Sequence, residues 1–298
     1  MDGEDSETPA DTLTWLLAAL APARKTTIVD VGANPIYAPD YADLLRIGGC
    51  KVVGFEPQPA AFAELQKNKG PDETYYPFAI GTGETLNLRI YKSSGMTSIF
   101  DPYVPTMAMV NEMGMARVRE TVAMDTVALD QTTDLPEFDL MKIDIQGAET
   151  LVFQGAERVL KGCIAVMVEL RYMRLYHGEP MLGGVDTELR RQGFYLHKFM
   201  FNKGYMLSNS QARRLKQKKL TDQLIDGDGV YLRNVAELAG YSDEQLKHQA
   251  ILAAGVFHSH SLVLYCLDAL VARNAIAAEL PGQYVDRMPE ALRTDGRR

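Results

Sequence analysis

Short apolar runs alternate with amphipathic stretches along most of the chain, and the two patterns predict two kinds of element. The apolar and alternating runs predict strands at 27–31, 51–55, 74–80, 86–90, 117–122, 138–145, 164–170, 194–201 and 229–232. The amphipathic stretches predict helices at 41–47, 60–67, 148–160 and 185–192. Strands that alternate with helices favour an α/β fold, in which helices cover both faces of a mostly parallel sheet. The last two strands lack an intervening amphipathic helix, so we expect them to pair antiparallel.

The two ends of the chain depart from this alternation. Residues 1–10 begin with an acidic stretch and predict a disordered N-terminus. Ser242 and Gln245 have the spacing of a capping box, and the residues after them are mostly apolar at helical spacing. We therefore expect one domain over 11–235 and a helical C-terminal extension over 240–298, whose helices could join two copies of the chain.

A segment rich in methionine and serine interrupts the alternation of strands and helices at 93–115. A segment of this length between regular elements is often a lid or a binding loop, and methionine adapts to varied apolar surfaces. An amphipathic helix at 106–113 that packs on the core explains the same residues. The two interpretations are compatible.

The first two predicted strands end in residues that suit an adenosine-containing ligand. Asp30, Gly32 and Asn34 lie where the first strand ends, and Glu56 ends the second. A glycine turn lets the backbone approach a ligand closely, and an acid at the end of the next strand can accept hydrogen bonds from two ribose hydroxyls. The alternative is an ordinary strand–turn–helix connection that binds nothing.

The turn favours S-adenosylmethionine over a nicotinamide dinucleotide. A dinucleotide fold needs further glycines whose N–H groups cradle a pyrophosphate, whereas here only Gly32 is present and Pro35 has no N–H. Asp30 would repel a pyrophosphate but would suit the cationic sulfonium of S-adenosylmethionine. A Rossmann-type nucleotide-sugar dehydrogenase or epimerase is therefore the weaker enzyme alternative.

Composition limits the classes of partner and the cell compartment that we expect for this chain. The formal net charge is −8, which argues against a nucleic-acid partner. A basic cluster at 213–219 is typical of a solvated face, with a phosphate or glycan contact as the alternative. Three widely spaced cysteines fit a reduced cytoplasm. The acidic start and the shortness of the apolar runs predict neither secretion nor a membrane span.

Three motifs stand in a distinctive order along the chain: Asp30-Val31-Gly32-Ala33-Asn34, Gly54-Phe55-Glu56-Pro57 and the ten residues of 140–149. Gly155-Ala156 and Val168-Glu169-Leu170 follow them. In sequence and spacing, this set resembles the FkbM family of S-adenosylmethionine-dependent methyltransferases, over residues 25–235.

The resemblance implies a class I methyltransferase fold, which is a seven-stranded sheet with its last strand antiparallel. It also implies methyl transfer, usually to a hydroxyl oxygen of a sugar or a secondary metabolite, so that the partner is a small-molecule or glycan acceptor. The resemblance implies that Asp30, Gly32 and Asn34 face the methionine portion of the cofactor and that Glu56 accepts hydrogen bonds from the ribose hydroxyls. It also implies that Pro57 is a cofactor contact, that Ala79 and Ile80 lie near the adenine, and that Asp144 lies beside the transferred methyl group.

The chain departs from the family pattern at one position of the first motif. The family usually has a second glycine two residues after the asparagine, and this chain has Ile36 there, after Pro35. We therefore expect a differently shaped cofactor turn at 34–37. This departure gives weight to another alternative, a non-catalytic cofactor-binding module that uses the C-terminal helices for docking.

Candidates for a catalytic base lie after two strands of the parallel series, because open α/β sheets bind ligands at the carboxyl ends of strands. Asp144 is the first candidate, and a cofactor contact or a helix cap is its alternative. Glu169 is the second, and an ion pair with Arg171 or Arg174 is its alternative. His177 lies in the next loop, where an imidazole can take a proton near neutral pH or can simply be solvated.

The acceptor side of the pocket is expected to use Met96, Thr97, Ser98, Gln146 and Glu149. Lys142 lies inside a strand and is expected to pair with a buried carboxylate. No group of side chains has clear metal-ligand spacing, so no metal is predicted, although Asp144 and Glu169 could orient a divalent cation if they converge.

Overall fold

The computed structural model describes residues 8–294. Within that range the chain forms ten strands, which are β1 (Thr26–Val31), β2 (Cys50–Phe55), β3 (Glu73–Tyr76), β4 (Ala79–Ile80), β5 (Thr85–Tyr91), β6 (Val118–Val127), β7 (Leu140–Ile143), β8 (Ala165–Arg171), β9 (Phe194–Tyr205) and β10 (Gln223–Arg233). The same range forms nine α-helices, which are α1 (Ala10–Leu20), α2 (Ala42–Arg46), α3 (Pro59–Asn68), α4 (Val104–Met109), α5 (Glu149–Gln154), α6 (Leu182–Arg191), α7 (Asp243–Gly255), α8 (His260–Ala272) and α9 (Leu280–Val285). Of the predicted disordered segment 1–10, residues 1–7 lie outside the described residues, and Ala10 already belongs to α1.

Seven of the strands form one sheet, in the order β3-β2-β1-β7-β8-β10-β9. Strand β1 pairs in parallel with β2 on one side and with β7 on the other, so that Asp30 lies opposite both Gly54 and Lys142. Strand β10 is antiparallel to both β8 and β9. The predicted seven-stranded, mostly parallel sheet with an antiparallel last strand is therefore confirmed. The connections leave β1 and β7 in opposite directions, and this is where an open α/β sheet forms its binding crevice.

Strand β1 is buried along its whole length because helices cover both faces of the sheet. Successive residues of the strand enter opposite cores, as the two-residue period of a strand requires. Ile28 packs with Leu140 in one core, and Val29 packs with Met141 in the other. Because every face of β1 is needed for packing, its carboxyl end is a rigid support for the turn that follows.

Helices α1, α7 and α8 cover the face of the sheet on which Ile28 lies. Helix α7 begins with the predicted capping box, since Ser242 Oγ accepts from Gln245 N at 3.1 Å and Gln245 Oε1 accepts from Ser242 N at 2.9 Å. The predicted C-terminal helices thus contribute to a core of the sheet, while the domain boundary near residue 240 and the oligomeric state stay predictions. Among the helices formed by residues 8–294, none has both the length and the apolar character that crossing a membrane requires.

The single strand predicted at 74–80 is wrong, because the structure divides it into β3 and β4. Pro77 lies between the two strands and cannot donate a hydrogen bond to a neighbouring strand. Strand β3 stays at the edge of the main sheet, whereas β4 pairs in parallel with β6. Strands β4, β6 and β5 form a small second sheet, in the order β4-β6-β5.

The helix predicted at 148–160 is shorter than expected, since α5 ends at Gln154. Gly155 packs against the backbone carbonyl of Gly81 and leaves no room for a side chain there. The chain then turns, and Asp130 Oδ1 accepts from the backbone N–H groups of Arg158 and Val159, both at 3.0 Å. These contacts start a separate short 3-10 helix at Val159–Lys161.

Candidate functional site

A cleft of about 1250 Å³ opens at the carboxyl ends of β1, β2, β7 and β8. The turn after β1 and the end of β2 form one wall. The methionine-rich segment and the small sheet contribute further side chains, which are Leu86, Leu88, Met96, Met107, Met115 and Met124. The 93–115 segment therefore lines the cleft and also contains a short helix, α4, so that both predicted interpretations describe part of it.

Gly32 allows the turn after β1 to pass beside the backbone that follows β7. Its φ is +83°, and a side chain at this position would collide with the backbone carbonyl of Asp144. The N–H groups of Gly32 and Ala33 both donate to Phe55 O, at 3.0 and 3.1 Å. The glycine thus joins the ends of three strands, β1, β2 and β7, into one edge of the cleft.

Ile36 occupies the position at which the family usually has a second glycine, and it does not close the cleft. Asn34 Oδ1 accepts from Ile36 N at 3.2 Å, which forms a local turn across Pro35. The Ile36 side chain is 51% exposed and lies on the rim of the cleft. The altered turn therefore changes the rim of the cleft and leaves its interior open.

Glu56 lies at the end of β2 with only 3% of its surface exposed, and it lines the cleft. Its Oε1 accepts from Gln58 N at 2.7 Å, which leaves Oε2 without a hydrogen bond to any of the described residues. Burial raises the pKa of Glu56, with the Asp30 carboxylate adding to the effect and the Gln58 N–H opposing it. Beside it, the cleft is lined by Pro57, Phe78, Ala79 and Ile80. An acid next to flat and apolar surfaces is the environment that a ribose and its adenine need.

Asp30 is buried and is held by two partners. Tyr41 OH donates to Asp30 Oδ2 at 2.6 Å, and Lys142 Nζ lies 3.4 Å from Oδ1. Burial and the Asp30 carboxylate raise the pKa of Tyr41 well above its usual value, so the phenol stays a donor. The predicted role of Lys142 as a buried partner of a carboxylate is confirmed.

Asp144 and Glu169 converge at the carboxyl ends of β7 and β8, and Gln146 bridges them. The Gln146 Nε2 group donates to Asp144 Oδ1 at 2.8 Å and to Glu169 Oε2 at 2.9 Å. All three side chains line the cleft. The sequence placed both acids at strand ends, and the structure adds the amide that joins them.

The two carboxyl groups have opposite pKa shifts. Enclosure in the cleft would by itself raise the pKa of Asp144, but the Lys142 charge and hydrogen bonds with Glu169 and Gln146 outweigh it and lower that pKa. Burial raises the pKa of Glu169 well above its usual value, and the Asp144 and Glu149 charges add to the effect while Arg171 opposes it. Asp144 is thus the stronger acid of the pair, and Glu169 is the member that holds a proton more readily.

Arg171 lies behind the pair and is 3% exposed. Its guanidinium is 2.6 Å from Glu169 Oε1, 3.5 Å from Glu179 Oε2 and 3.7 Å from Asp226 Oδ2. The same group donates to Gln146 Oε1 at 2.7 Å. The predicted ion pair of Glu169 with Arg171 is therefore present, and Glu169 also faces the cleft.

Three predicted site residues do not line the cleft. Glu149 is buried and accepts from the backbone N–H groups of Ile145 and Gly147, at 3.2 and 3.0 Å, so it supports the loop after β7. Ser98 Oγ donates to Gln146 O at 2.6 Å and supports the same loop. His177 is exposed, with its ring 5.1 Å from that of Tyr103, and this position gives a catalytic role no support. Of the acceptor-side predictions, Met96, Thr97 and Gln146 do line the cleft.

Sequence reasoning missed the contribution of the last two strands. Phe201, Lys203, Asp226 and Asp228 line the cleft from β9 and β10. Burial raises the pKa of Asp228 to about 7, with Asp144 as the next largest cause. Asp226 and Asp228 are two residues apart in a strand, which places both on one face, and this spacing was the available signal.

The charged residues in the lining of the cleft are predominantly acidic. The charged residues that line it are the acids Asp30, Asp40, Glu56, Asp72, Glu73, Asp144, Glu169, Asp226 and Asp228 and the cations Arg46, Lys142 and Lys203. A lining of this charge attracts a cation and opposes the two phosphates of a dinucleotide. The residues therefore fit a ligand that combines an adenosine with a positive charge.

Comparison with known proteins extends these observations. A sequence profile described as the methyltransferase FkbM domain matches residues 30–196, more than half of the chain. Among proteins with curated functions, none matches the sequence significantly.

Several solved structures are similar to this chain in part of their fold. A methyltransferase FkbM from Methylobacillus flagellatus KT has 15% identity and a TM-score of 0.38, with 70% of this chain and 43% of that chain covered. This chain thus spans less than half of the length of that protein. Magnesium protoporphyrin IX methyltransferase from Synechocystis PCC 6803, solved with S-adenosylmethionine, has 10% identity, coverage of 76% and 78%, and a TM-score of 0.36. An S-adenosylmethionine-dependent methyltransferase from Mesorhizobium loti has 13% identity, coverage of 76% and 100%, and a TM-score of 0.36.

Proposed function

The chain belongs to the FkbM family of methyltransferases, which use S-adenosylmethionine, and from this premise we propose that it methylates a hydroxyl oxygen of a sugar, a glycan or a secondary metabolite. One observation carries the proposal, namely the convergence of Asp144 and Glu169 on the cleft beside Gln146. An alcohol is a poor nucleophile while it holds its proton, so a nearby carboxylate is what this reaction needs.

When bound, S-adenosylmethionine supplies an electrophilic methyl group on a sulfonium. Glu56 accepts hydrogen bonds from ribose hydroxyls, and Asp30, Gly32 and Asn34 form the wall for the methionine portion. Asp144 faces the acceptor as an ionised carboxylate and takes the hydroxyl proton as the new carbon–oxygen bond forms. A positioned base of this kind adds about 10²–10⁴-fold to a rate.

The acceptor occupies the part of the cleft between the methionine-rich segment and β9–β10. Met96 and Phe201 supply apolar surface there, while Thr97 and Lys203 supply hydrogen-bonding groups. A polyhydroxylated ring on an apolar body matches this mixture. Cys50, Cys163 and Cys266 are buried and free, which supports a reducing compartment such as the cytoplasm.

The test is a transfer assay with methyl-labelled S-adenosylmethionine and a panel of hydroxylated sugars, glycosides and cell extracts. We expect a labelled product that gains one methyl group and keeps it under alkaline hydrolysis, as an ether does and an ester does not. Asp144→Asn should lower turnover by about 10²–10⁴-fold while leaving the affinity for the donor nearly unchanged. Label found on nitrogen, on carbon or in an ester would contradict methylation of a hydroxyl oxygen.

The two alternatives raised by the sequence have distinct outcomes in the same assay. Binding of S-adenosylmethionine without transfer to any acceptor would favour the non-catalytic module. The dehydrogenase or epimerase alternative has lost its basis, because the chain belongs to a methyltransferase family and the cleft is acidic where a pyrophosphate would lie.

A further inference from the structure

Gln146 has an unusual position for a residue that would only contact an acceptor. It lies between two acids, and its backbone has a φ of +60°, which residues other than glycine seldom adopt. Ser98 Oγ holds its carbonyl oxygen at 2.6 Å. A strained and braced residue at the centre of a site indicates that its exact orientation matters.

The orientation of the Gln146 amide is determined by the groups on its other side. Arg171 Nη2 donates to Gln146 Oε1 at 2.7 Å, and Tyr176 OH lies 3.2 Å from the same oxygen. A guanidinium can only donate, so a flipped amide would place its NH₂ group against Arg171 and lose this bond. The NH₂ group must therefore point at the acids, where it donates one hydrogen to the Asp144 carboxyl group and the other to that of Glu169.

More acids than cations surround Asp144 and Glu169, and the nearby cations are already paired. Lys142 is engaged by Asp30, and Arg171 is shared among Glu169, Glu179 and Asp226. The other groups that act on the pair are the acids Glu149 and Asp228, the phenol of Tyr176 and the more distant Lys203. Two carboxylates held this close, with more acids than cations around them, retain one proton between them.

We propose that Gln146 is a positioning residue that holds Asp144 and Glu169 together as one base with a single shared proton, and that the pair releases this proton when the cationic methyl donor binds. The inference rests on the proposed function. Binding of the donor brings one positive charge into the site, and release of the proton to solvent removes one, so the net charge of the site is unchanged. When the acceptor O–H bond and the S–CH₃ bond break and the O–CH₃ bond forms, the acceptor proton returns to the pair and the sulfur becomes neutral.

This coupling makes the base available only when the donor still has a methyl group to transfer. S-adenosylmethionine and its product S-adenosylhomocysteine share the adenosine, the ammonium and the carboxylate, and they differ in the methyl group and its positive charge. The product therefore leaves the pair singly protonated. Any difference in proton release between the two compounds reports on groups near the sulfur.

The experiment is calorimetric titration of both compounds at neutral pH in two buffers with different heats of ionisation, which counts the protons released on binding. For the wild-type protein, we expect S-adenosylmethionine to release about one proton more than S-adenosylhomocysteine. Gln146→Met keeps the length of the side chain but cannot donate, and Glu169→Gln cannot hold the proton. We expect the difference to fall close to zero in both variants.

Asp228→Asn tests the main alternative source of the proton, because Asp228 is another acid of the cleft and burial raises its pKa to about 7. It should keep the difference of about one proton. Equal release by the two compounds in the wild type, or a difference that survives in Gln146→Met or Glu169→Gln, would overturn the inference. Loss of the difference in Asp228→Asn would also overturn it, since the proton would then belong to Asp228. If neither compound binds, the proposed function itself fails.

Discussion

Lys142 Nζ lies 3.4 Å from Asp30 Oδ1, across two strands in which these residues are direct partners. The Asp30 side chain is 4% exposed and that of Lys142 is 18% exposed. Burial opposes the charge of Lys142, but Asp30 and Asp144 outweigh it and raise the lysine pKa. The pair thus keeps a charged lysine in the lining of the cleft, where it also acts on Asp144.

Lys142→Met should lower the free energy of unfolding by about 3–5 kcal/mol, because it leaves the buried Asp30 carboxylate without its cation. Urea denaturation measures this change. Lys25→Met is the control, since Lys25 is 39% exposed and pairs with Asp72 at 2.7 Å near the surface. It should cost less than about 1 kcal/mol. Adding Asp30→Asn to Lys142→Met should recover part of the loss, and strictly additive losses would contradict the coupling.

The stability of the protein should decrease with rising pH through the titration of Asp228. Its pKa rises from 3.8 to about 7 in the folded chain, mainly through burial, so the folded state holds a proton that the unfolded state has lost. Stability contributed by this proton is full below pH 3.8 and is lost as the pH approaches about 7.

Asp228→Asn should therefore flatten this decrease and raise the melting temperature at neutral pH. Thermal melts over a pH series test the prediction, with Asp222→Asn as an exposed control just before β10. An unchanged slope in Asp228→Asn would show that other groups cause the pH dependence.

Much of the fold and half of the site follow from local sequence pattern. Asp30, Glu56, Asp144 and Glu169 were placed at strand ends by the apolar runs before them, and parallel strands bring their carboxyl ends to one edge. The missing N–H of Pro77 could have predicted the division between β3 and β4, but the apolar residues on both sides of it have the pattern of one continuous strand.

The other half of the site depends on tertiary contacts that no local pattern records. Gln146 was expected to face the acceptor, but Arg171 and Tyr176 determine the direction of its amide from elements that follow it in the chain. Glu149 turns inward because two backbone N–H groups of its own loop need an acceptor. Asp228 comes into the cleft through the antiparallel pairing of β10 with β8, in which it lies opposite Glu169.

Glu56→Gln should weaken the binding of S-adenosylmethionine by about ten- to a hundredfold, because hydrogen bonds to a charged group contribute about 1.5–3 kcal/mol. Isothermal titration calorimetry measures the affinity. Glu64→Gln, on the exposed face of α3, is the matched control and should bind as the wild type does. Equal affinities for all three proteins would remove Glu56 from the site.

The affinity for the donor should also depend on pH through Glu56. Burial raises the pKa of this carboxyl group, so it takes up a proton at a higher pH than an ordinary glutamate. The affinity for S-adenosylhomocysteine, which leaves the Asp144–Glu169 pair protonated, should therefore fall as the pH is lowered through the raised pKa of Glu56, and the fall should be absent in Glu56→Gln. A fall of the same size in that variant would assign the dependence to another acid of the cleft.

Gly32→Ala should damage both the fold and the cleft, because two constraints act on this position. The positive φ costs a residue with a Cβ about 1–2 kcal/mol, and the added methyl group collides with the backbone carbonyl of Asp144. Relief of the collision must move the loop that carries Asp144 and Gln146. We expect a lower free energy of unfolding and weaker binding of S-adenosylmethionine, measured by urea denaturation and calorimetry. Gly240→Ala is the control, since a methyl group there meets nothing within 4 Å and the residue does not line the cleft. If Gly32→Ala and Gly240→Ala behave alike, the close approach of the two loops does not constrain the site.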